Sequence, residues 1–264
     1  MFEFNKDKDL CPRIKIIGVE DFGAKMVNYL IANILLNVEF AVVATKNETL
    51  LQSSAPQRIK IDDAISEKSK RNLSELLKDL DVLFIFTDLA DENISTQIAE
   101  LAKNILTVAI VPKSALNTEN FQKSVDTLVV VEDENIFLMY SAVRCINNLI
   151  EPGLVGLDFA DIKSILENSG RGYVAYGKAT DETPTIDAMK NAINSMKDIL
   201  RKSKRILLCI ISSTENLSMM EVNEATIILQ EETHSESEII WGVAIDVRND
   251  NFVEVSIIAT DLEK

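Results

Sequence analysis

The sequence predicts an α/β fold: a doubly wound, mostly parallel sheet layered with helices, then a linking helix and a smaller α+β unit. Three observations predict it. Short apolar, β-branched runs recur at Ile14–Ile17, Phe40–Val43, Val82–Phe86, Ile105–Val111 and Thr127–Val131, the pattern of strands buried on both faces of a parallel sheet. Between these runs, apolar residues return at helical spacing, as crossover helices require. After Asn135 the alternation stops: one helix runs to about Ile150 and a different order of elements follows.

In chain order, Met26, Val27, Leu30, Ile31, Ile34 and Leu35 define the first crossover helix. Leu73, Leu76, Leu77 and Leu80 mark a second, and Ile94, Ile98, Leu101 and Ala102 a third. Residues 1–134 thus form a Rossmann-like domain, whose ligands bind at the carboxyl ends of the strands. Residues 135–157 make the linking helix and a loop opened by Pro152–Gly153. Residues 158–264 form the second unit. There Asp158–Leu166 is helical, Gly172–Ala179 extended, and Met189, Ala192, Ile193, Met196, Ile199 and Leu200 line an amphipathic helix. Arg205–Ile211 is a strand, Ser218–Gln230 a helix, and Ile239–Val247 is expected to pair with Phe252–Thr260 as a hairpin across Arg248–Asn251, within a largely antiparallel or mixed sheet.

Bulk properties exclude several classes of function. At 264 residues and 47% hydrophobic, the chain has material for two packed units. No run approaches the roughly 18 apolar residues of a membrane span, and MFEFNKDKDLCPR carries charges where a secretory signal needs an apolar centre. A cytoplasmic location is expected. The net charge of −15 argues against nucleic acid and anionic membranes as partners. Cys11, Cys145 and Cys209 are far apart and suit reduced packing residues; with His234 as the single histidine, in a polar turn, no metal site is expected.

Particular segments resemble one family. IKIIGVEDFGAKMVNYL is similar to the first nucleotide loop of the bacterial tubulin-like cell-division protein FtsZ. VEFAVVATKNETL, DVLFIF, AELAKNILTVAIV and VDTLVVV resemble successive strands and helices of its GTPase-type domain. LIEPGLVGLDFADIKSIL looks like the family's synergy loop and following helix, and GYVAYGKAT, NLSMMEVNEA and VEVSIIAT continue to the end of its C-terminal domain. The resemblance implies a tubulin/FtsZ-like fold and, for the family, GTP binding and hydrolysis.

The departures concentrate where a triphosphate would lie. A phosphate cradle needs glycines because backbone amides must approach the anion closely, often at positive φ. Before residue 153 only Gly18 and Gly23 occur. The first loop reads Glu20, Asp21, Phe22, Gly23, and the stretch matching the tubulin signature, Thr87–Ser95, reads TDLADENIS. Glu20, Asp21, Asp88, Asp91 and Glu92 bring carboxylates to the strand ends, each repelling a phosphate oxygen ~4 Å away by roughly 1 kcal/mol in water and about 4 kcal/mol at a protein surface. Lys25 stands where the family has asparagine, and Lys46 replaces the aspartate of an Asn-Thr-Asp turn that keeps only Thr45. Asp133 replaces a base-side asparagine, the segment between Val111 and Val125 is too short for the ribose-binding Glu and Arg, and the linking helix is abbreviated.

By resemblance, Gly18, Gly23, Asn28 and Thr45 are the vestigial cofactor-binding positions, and Asp158 and Asp161 the synergy-loop carboxylates that act in trans on a neighbouring subunit's nucleotide. Each has a plainer reading. The glycines permit a tight strand-to-helix turn, Asn28 is merely exposed, the acidic loops are solvated and poorly ordered, and Asp158 and Asp161 cap a helix. The leading expectation is a pseudo-GTPase that needs no cofactor and binds FtsZ-type subunits, or itself, through the synergy-loop face. A slow GTPase that holds GTP in remodelled loops, and a small-molecule or metal-binding module in the switch-point crevice, are the alternatives. Lacking the family's terminal linker and peptide, the chain is not expected to contact membranes directly.

Overall fold

The computed structural model describes residues 12–33, 35, 37–62, 65–115, 119–133, 135–151, 153–180, 182–212, 217–246 and 252–262. The elements run β1 (Ile14–Val19), α1 (Glu20–Ala32), β2 (Val38–Ala44), α2 (Asn47–Gln52), β3 (Gln57–Lys60), α3 (Glu67–Leu76), β4 (Val82–Phe86), α4 (Glu92–Leu101), β5 (Leu106–Pro112), α5 (Glu119–Gln122) and β6 (Thr127–Val131). They continue with α6 (Ile136–Ile150), α7 (Phe159–Leu166), β7 (Gly170–Ala179), α8 (Pro184–Leu200), β8 (Ser203–Ser212), α9 (Met219–Glu232), β9 (Glu238–Ile245) and β10 (Val253–Leu262). The five predicted strand runs and the long helices fall near where hydrophobic periodicity puts them, but α1 ends at Ala32, short of Leu35, and α3 at Leu76, short of Leu77 and Leu80; Ile34 lies outside the described residues. The short polar elements α2 and β3 escaped it, because four to six residues with little burial carry no period to read.

Among the described residues the strands form one sheet in the order β3-β2-β1-β4-β5-β6-β7-β10-β8-β9. Every neighbouring pair is parallel except the two that involve β10. The first six strands stay contiguous, as do the last four, and the β6–β7 pair, starting at Thr127 opposite Gly170, carries the sheet from one group to the other. One apolar layer, under α1, α6 and α7, spans both groups: Val27, Phe84, Ile146 and Ile162 share a cluster with Leu207 and Ile258. The opposite face is covered by α3 and α4 over the first strands and by α8 and α9 over the last.

The expected hairpin is absent. Strand β10 lies between β7 and β8, while β9 pairs in parallel with β8 from Arg205 opposite Glu238 to Ser212 opposite Ile245. Burial explains the choice. Val253 to Thr260 is buried on both faces, which an interior strand needs, whereas β9 begins half-exposed and suits the edge. The segment Arg248–Asn251 lies outside the described residues.

Cys145 and Cys209 are free and fully buried, as expected of packing residues; Cys11 lies outside the described residues. Burial, together with the adjacent Cys209, pushes the Cys145 thiol well up, so it is held as an inert, protonated group. His234 sits half-buried in its turn, its Nδ1 accepting from the Glu236 amide at 3.2 Å.

Candidate functional site

The carboxyl ends of β1, β2 and β4 open onto a crevice of about 240 Å³ lined by Glu20, Asp21, Thr45, Lys46, Asp88, Ala90 and Asp91. A neighbouring cavity of about 480 Å³ lies between α1 and α2, with Asp21, Lys25, Asn28, Lys46 and Glu48 on its walls. Both sit where the strand order reverses between β1 and its two neighbours, the position at which open α/β sheets bind ligands.

Helix α1 starts directly after β1, and its first residue, Glu20, takes φ +53°, a left-handed conformation that costs an ordinary residue roughly 1 kcal/mol. The Glu20 carboxylate accepts a hydrogen bond from the Thr45 amide at 2.8 Å. One residue on, Asp21 accepts a short hydrogen bond from the Thr49 hydroxyl and lies 3.6 Å from the Lys46 ammonium. The Thr49 bond foremost, with Lys46 and Lys25, holds the Asp21 carboxyl below its usual range. The β1–α1 turn is therefore tied by its own acidic side chains to the turn after β2.

The same self-sufficiency recurs around the crevice. After β4, the Leu89 amide donates to Thr87 Oγ1 at 3.0 Å, the Ala90 amide to Asp88 Oδ1 at 3.1 Å and the Ile94 amide to Asp91 Oδ1 at 3.2 Å. After β5, the Ser114 amide donates to Asp133 Oδ1 at 2.9 Å. N–H groups at strand ends and helix starts are the kind an anion uses, and a side chain of the protein already occupies each of these; the first turns of α1 and α2 carry no side-chain cap. The acidic loops expected to be merely solvated are instead hydrogen-bonded connections. Among the described residues no group of three or more His, Cys, Asp or Glu has the arrangement of a metal site.

Gly18 and Gly23 are brought face to face. A Cβ on Gly18 would lie 2.2 Å from the Gly23 carbonyl oxygen, and one on Gly23 would lie 2.5 Å from the Phe86 carbonyl oxygen. Neither glycine has positive φ, so they serve the close approach of α1 to β1 and β4 rather than the turn, whose left-handed residue is Glu20. Asn28 is not merely exposed: its Nδ2 donates to the Gln52 carbonyl at 3.1 Å and its Oδ1 accepts from the Ser54 amide at 2.7 Å, fastening α1 to the end of α2. Thr45 lines the crevice, and its amide is the donor to Glu20.

Asp158 and Asp161 lie at the other pole. Asn37, just before β2, donates to Glu151 after α6 at 2.8 Å, and Thr127, the first residue of β6, donates to the Leu166 carbonyl at 2.6 Å. The loop and α7 are thus bracketed by contacts at the amino ends of the parallel strands. Residues 153–155 are fixed to β9, with Leu154 and Val155 amides donating to the Val243 carbonyl at 2.9 and 3.2 Å and the Val243 amide returning to Val155 at 3.0 Å. Glycine is required here for close approach, since a Cβ on Gly153 would stand 2.6 Å from the Val243 carbonyl oxygen. The expected cap is not made: Asp158 is the N-cap residue of α7 but its side chain accepts no capping hydrogen bond. Its backbone carbonyl takes the Asp161 amide instead, at 3.0 Å. Both carboxylates are exposed and have no partner among the described residues.

Residues 170–263 match the family model described as FtsZ family, C-terminal domain. Over its whole length the chain is 28% identical, across 319 aligned residues, to cell division protein FtsZ 2 of Rhizobium meliloti (strain 1021), covering 92% of that protein. The chain is similar to FtsZ along its whole length, and its residues 170–263 match that family's C-terminal domain. It is 27% identical to cell division protein FtsZ 1 of the same organism, but spans only 52% of that longer relative. Solved structures agree on the fold: an FtsZ mutant from M. jannaschii superposes with TM-score 0.85 at 22% identity, covering 96% of this chain and 92% of that one. CetZ from Methanosaeta thermophila strain DSM 6194 superposes with TM-score 0.67 at 18% identity, over 96% and 87% of the two chains. This FtsZ-like chain thus shares the fold of those structures, while the loops around its crevice are hydrogen-bonded by its own side chains. No helix among the described residues is long and apolar enough to cross a membrane.

Proposed function

We propose that this FtsZ-like chain is a pseudo-GTPase that acts in the cytoplasm by binding FtsZ-type subunits through the pole carrying Asp158 and Asp161. One observation carries the reading: the amides of Thr45, Leu89, Ala90, Ile94 and Ser114 are engaged by the chain's own side chains. A triphosphate entering the crevice would have to break several of these bonds while facing Glu20, Asp21, Asp88 and Asp91 across a small space. The opposite pole supports the second half of the reading, because loop 153–155 is held in shape on β9 and presents two carboxylates with no structural task there. A head-to-tail contact uses two different surfaces, so a chain with one working surface binds at the end of a row or modulates its growth.

Two measurements test this. Calorimetric titration with GTP and magnesium should show no binding; micromolar affinity would favour a slow GTPase with remodelled loops. Sedimentation and phosphate release by a glycine-complete FtsZ from the same organism should change when the chain is added below equimolar ratio. No effect on either would remove the partner reading.

A further inference from the structure

We propose that the open half of the β9 edge receives an extended peptide strand whose residues alternate between apolar and basic. The inference needs no property of the crevice or of Asp158 and Asp161. Strand β9 closes one side of the sheet and β3 the other. The β3 edge, Gln57–Lys60, is short and carries Arg58 and Lys60, charges of the kind that keep an edge from pairing with another chain. The β9 edge, Glu238–Ile245, reads EIIWGVAI and has no basic residue. Its backbone is only half used. The Asp246 amide turns inward to the Ser212 carbonyl at 3.0 Å, while Val243 turns outward, its amide donating to the Val155 carbonyl at 3.0 Å and its carbonyl accepting from the Leu154 and Val155 amides. Successive residues alternate between the two sides of a strand, so Ile239 and Trp241 turn their N–H and C=O groups outward with Val243. Among the described residues nothing pairs with them there. Val155 forms a single antiparallel bridge to Val243, and the chain then leaves the edge, with Leu157 lying over Gly242. This edge therefore accepts a strand, and the chain's own segment stops short of Trp241.

The side chains specify the occupant. Ile239 and Trp241 lean, half-buried, on the layer of α8 and α9, and Ile240 on the layer of α6 and α7. Glu238, two residues before Ile240, shares its face and is exposed, as is Glu236 just before the strand. Neither glutamate forms an ion pair among the described residues. An added strand thus meets apolar side chains on one face and a carboxylate on the other, which apolar residues alternating with lysine or arginine complement. The β9 of a second copy would instead bring the same glutamates, on a chain of net charge −15.

Trp241 is the single tryptophan of the chain, so its fluorescence reports from the edge itself. The probe is an acetylated, amidated peptide of about eight residues, valine alternating with lysine, long enough to span the open edge. Titrated into the full chain, it should bind with a dissociation constant of roughly 10–100 µM, move Trp241 emission to shorter wavelength and slow hydrogen exchange at the Ile239 and Trp241 amides. Methylating the amide nitrogens of the peptide's central residues keeps its charge and side chains but removes its donors, so affinity should fall at least about tenfold. Glu236→Lys/Glu238→Lys, at exposed positions, should lose the valine–lysine peptide and bind a valine–glutamate peptide instead. Equal binding by the methylated peptide would reduce the contact to net charge and overturn the inference. So would unchanged emission and exchange, or a lysine variant that binds the first peptide as wild type does. Emission and exchange that change with the concentration of the chain alone would put a second copy on this edge and overturn the basic strand as its occupant.

Discussion

Gly18 and Gly23 meet backbone to backbone: a side-chain carbon on Gly18 would stand 2.2 Å from the Gly23 carbonyl oxygen, too close for any two non-bonded atoms. The contact lets α1 lie directly on β1 and β4, and it makes both glycines structural irrespective of any ligand. Gly23→Ala is expected to lower stability by at least about 2 kcal/mol, the usual cost of forcing atoms into a packed interior or more, measured as a shift in urea midpoint. A midpoint within about 0.5 kcal/mol of wild type would mean the helix can slide off the strand and the packing role is wrong.

Replacing Asp158 and Asp161 with asparagine should leave the fold alone. Neither side chain caps α7 or pairs with a described residue, and exposed substitutions away from such features stay within about 0.5 kcal/mol. Asp158→Asn/Asp161→Asn is therefore expected to melt within a degree or two of wild type while losing its effect on FtsZ turnover. A large drop in melting temperature would show the two aspartates to be structural.

Purified free of FtsZ, the chain should release no phosphate from GTP above background, since the amides of Thr45, Leu89, Ala90, Ile94 and Ser114 are occupied and Asp158 and Asp161 stand at the opposite pole. Turnover that vanishes in Asp161→Ala would restore an enzymatic reading.

Arg144 on α6 bonds two carboxylates, Glu254 on β10 and Asp246 after β9, and Glu254 also accepts from the Tyr176 hydroxyl at 2.8 Å. All three charged side chains are mostly buried. Removing the cation strands two carboxylates in a low-dielectric setting, so Arg144→Ala should cost about 3–5 kcal/mol. Unfolding in denaturant checks it; a loss below 1 kcal/mol would mean that water reaches the carboxylates.

Glu39 supplies a pH signature. Burial disfavours its charge, but Lys15, whose ammonium is 3.0 Å away, and Arg13 outweigh this and hold the carboxyl below its ordinary value of 4.5. A depressed folded value means the folded state binds fewer protons there. The resulting stability is complete above about pH 4.5 and is lost as the pH falls through the folded value. Lys15→Met should flatten this part of the acid-unfolding profile; an unchanged slope below pH 4.5 would place the linkage elsewhere.

The sequence by itself determined the strand runs Ile14–Ile17, Val82–Phe86 and Thr127–Val131, the helix ending near Ile150, and the scarcity of glycine before residue 153, because apolar period and glycine count are local properties of the chain. Only the tertiary structure decided where β10 goes, since the polar face of Glu254, Ser256 and Thr260 reads as an exposed face beside β9 and is buried only because β7 and β8 flank the strand. It also decided that Glu20 reaches Thr45, Asp133 reaches Ser114 and Asp158 leaves its helix uncapped. A carboxylate's partner depends on which backbone amide the fold brings within 3 Å, and residues 20 and 45 become neighbours only when β1 and β2 lie side by side.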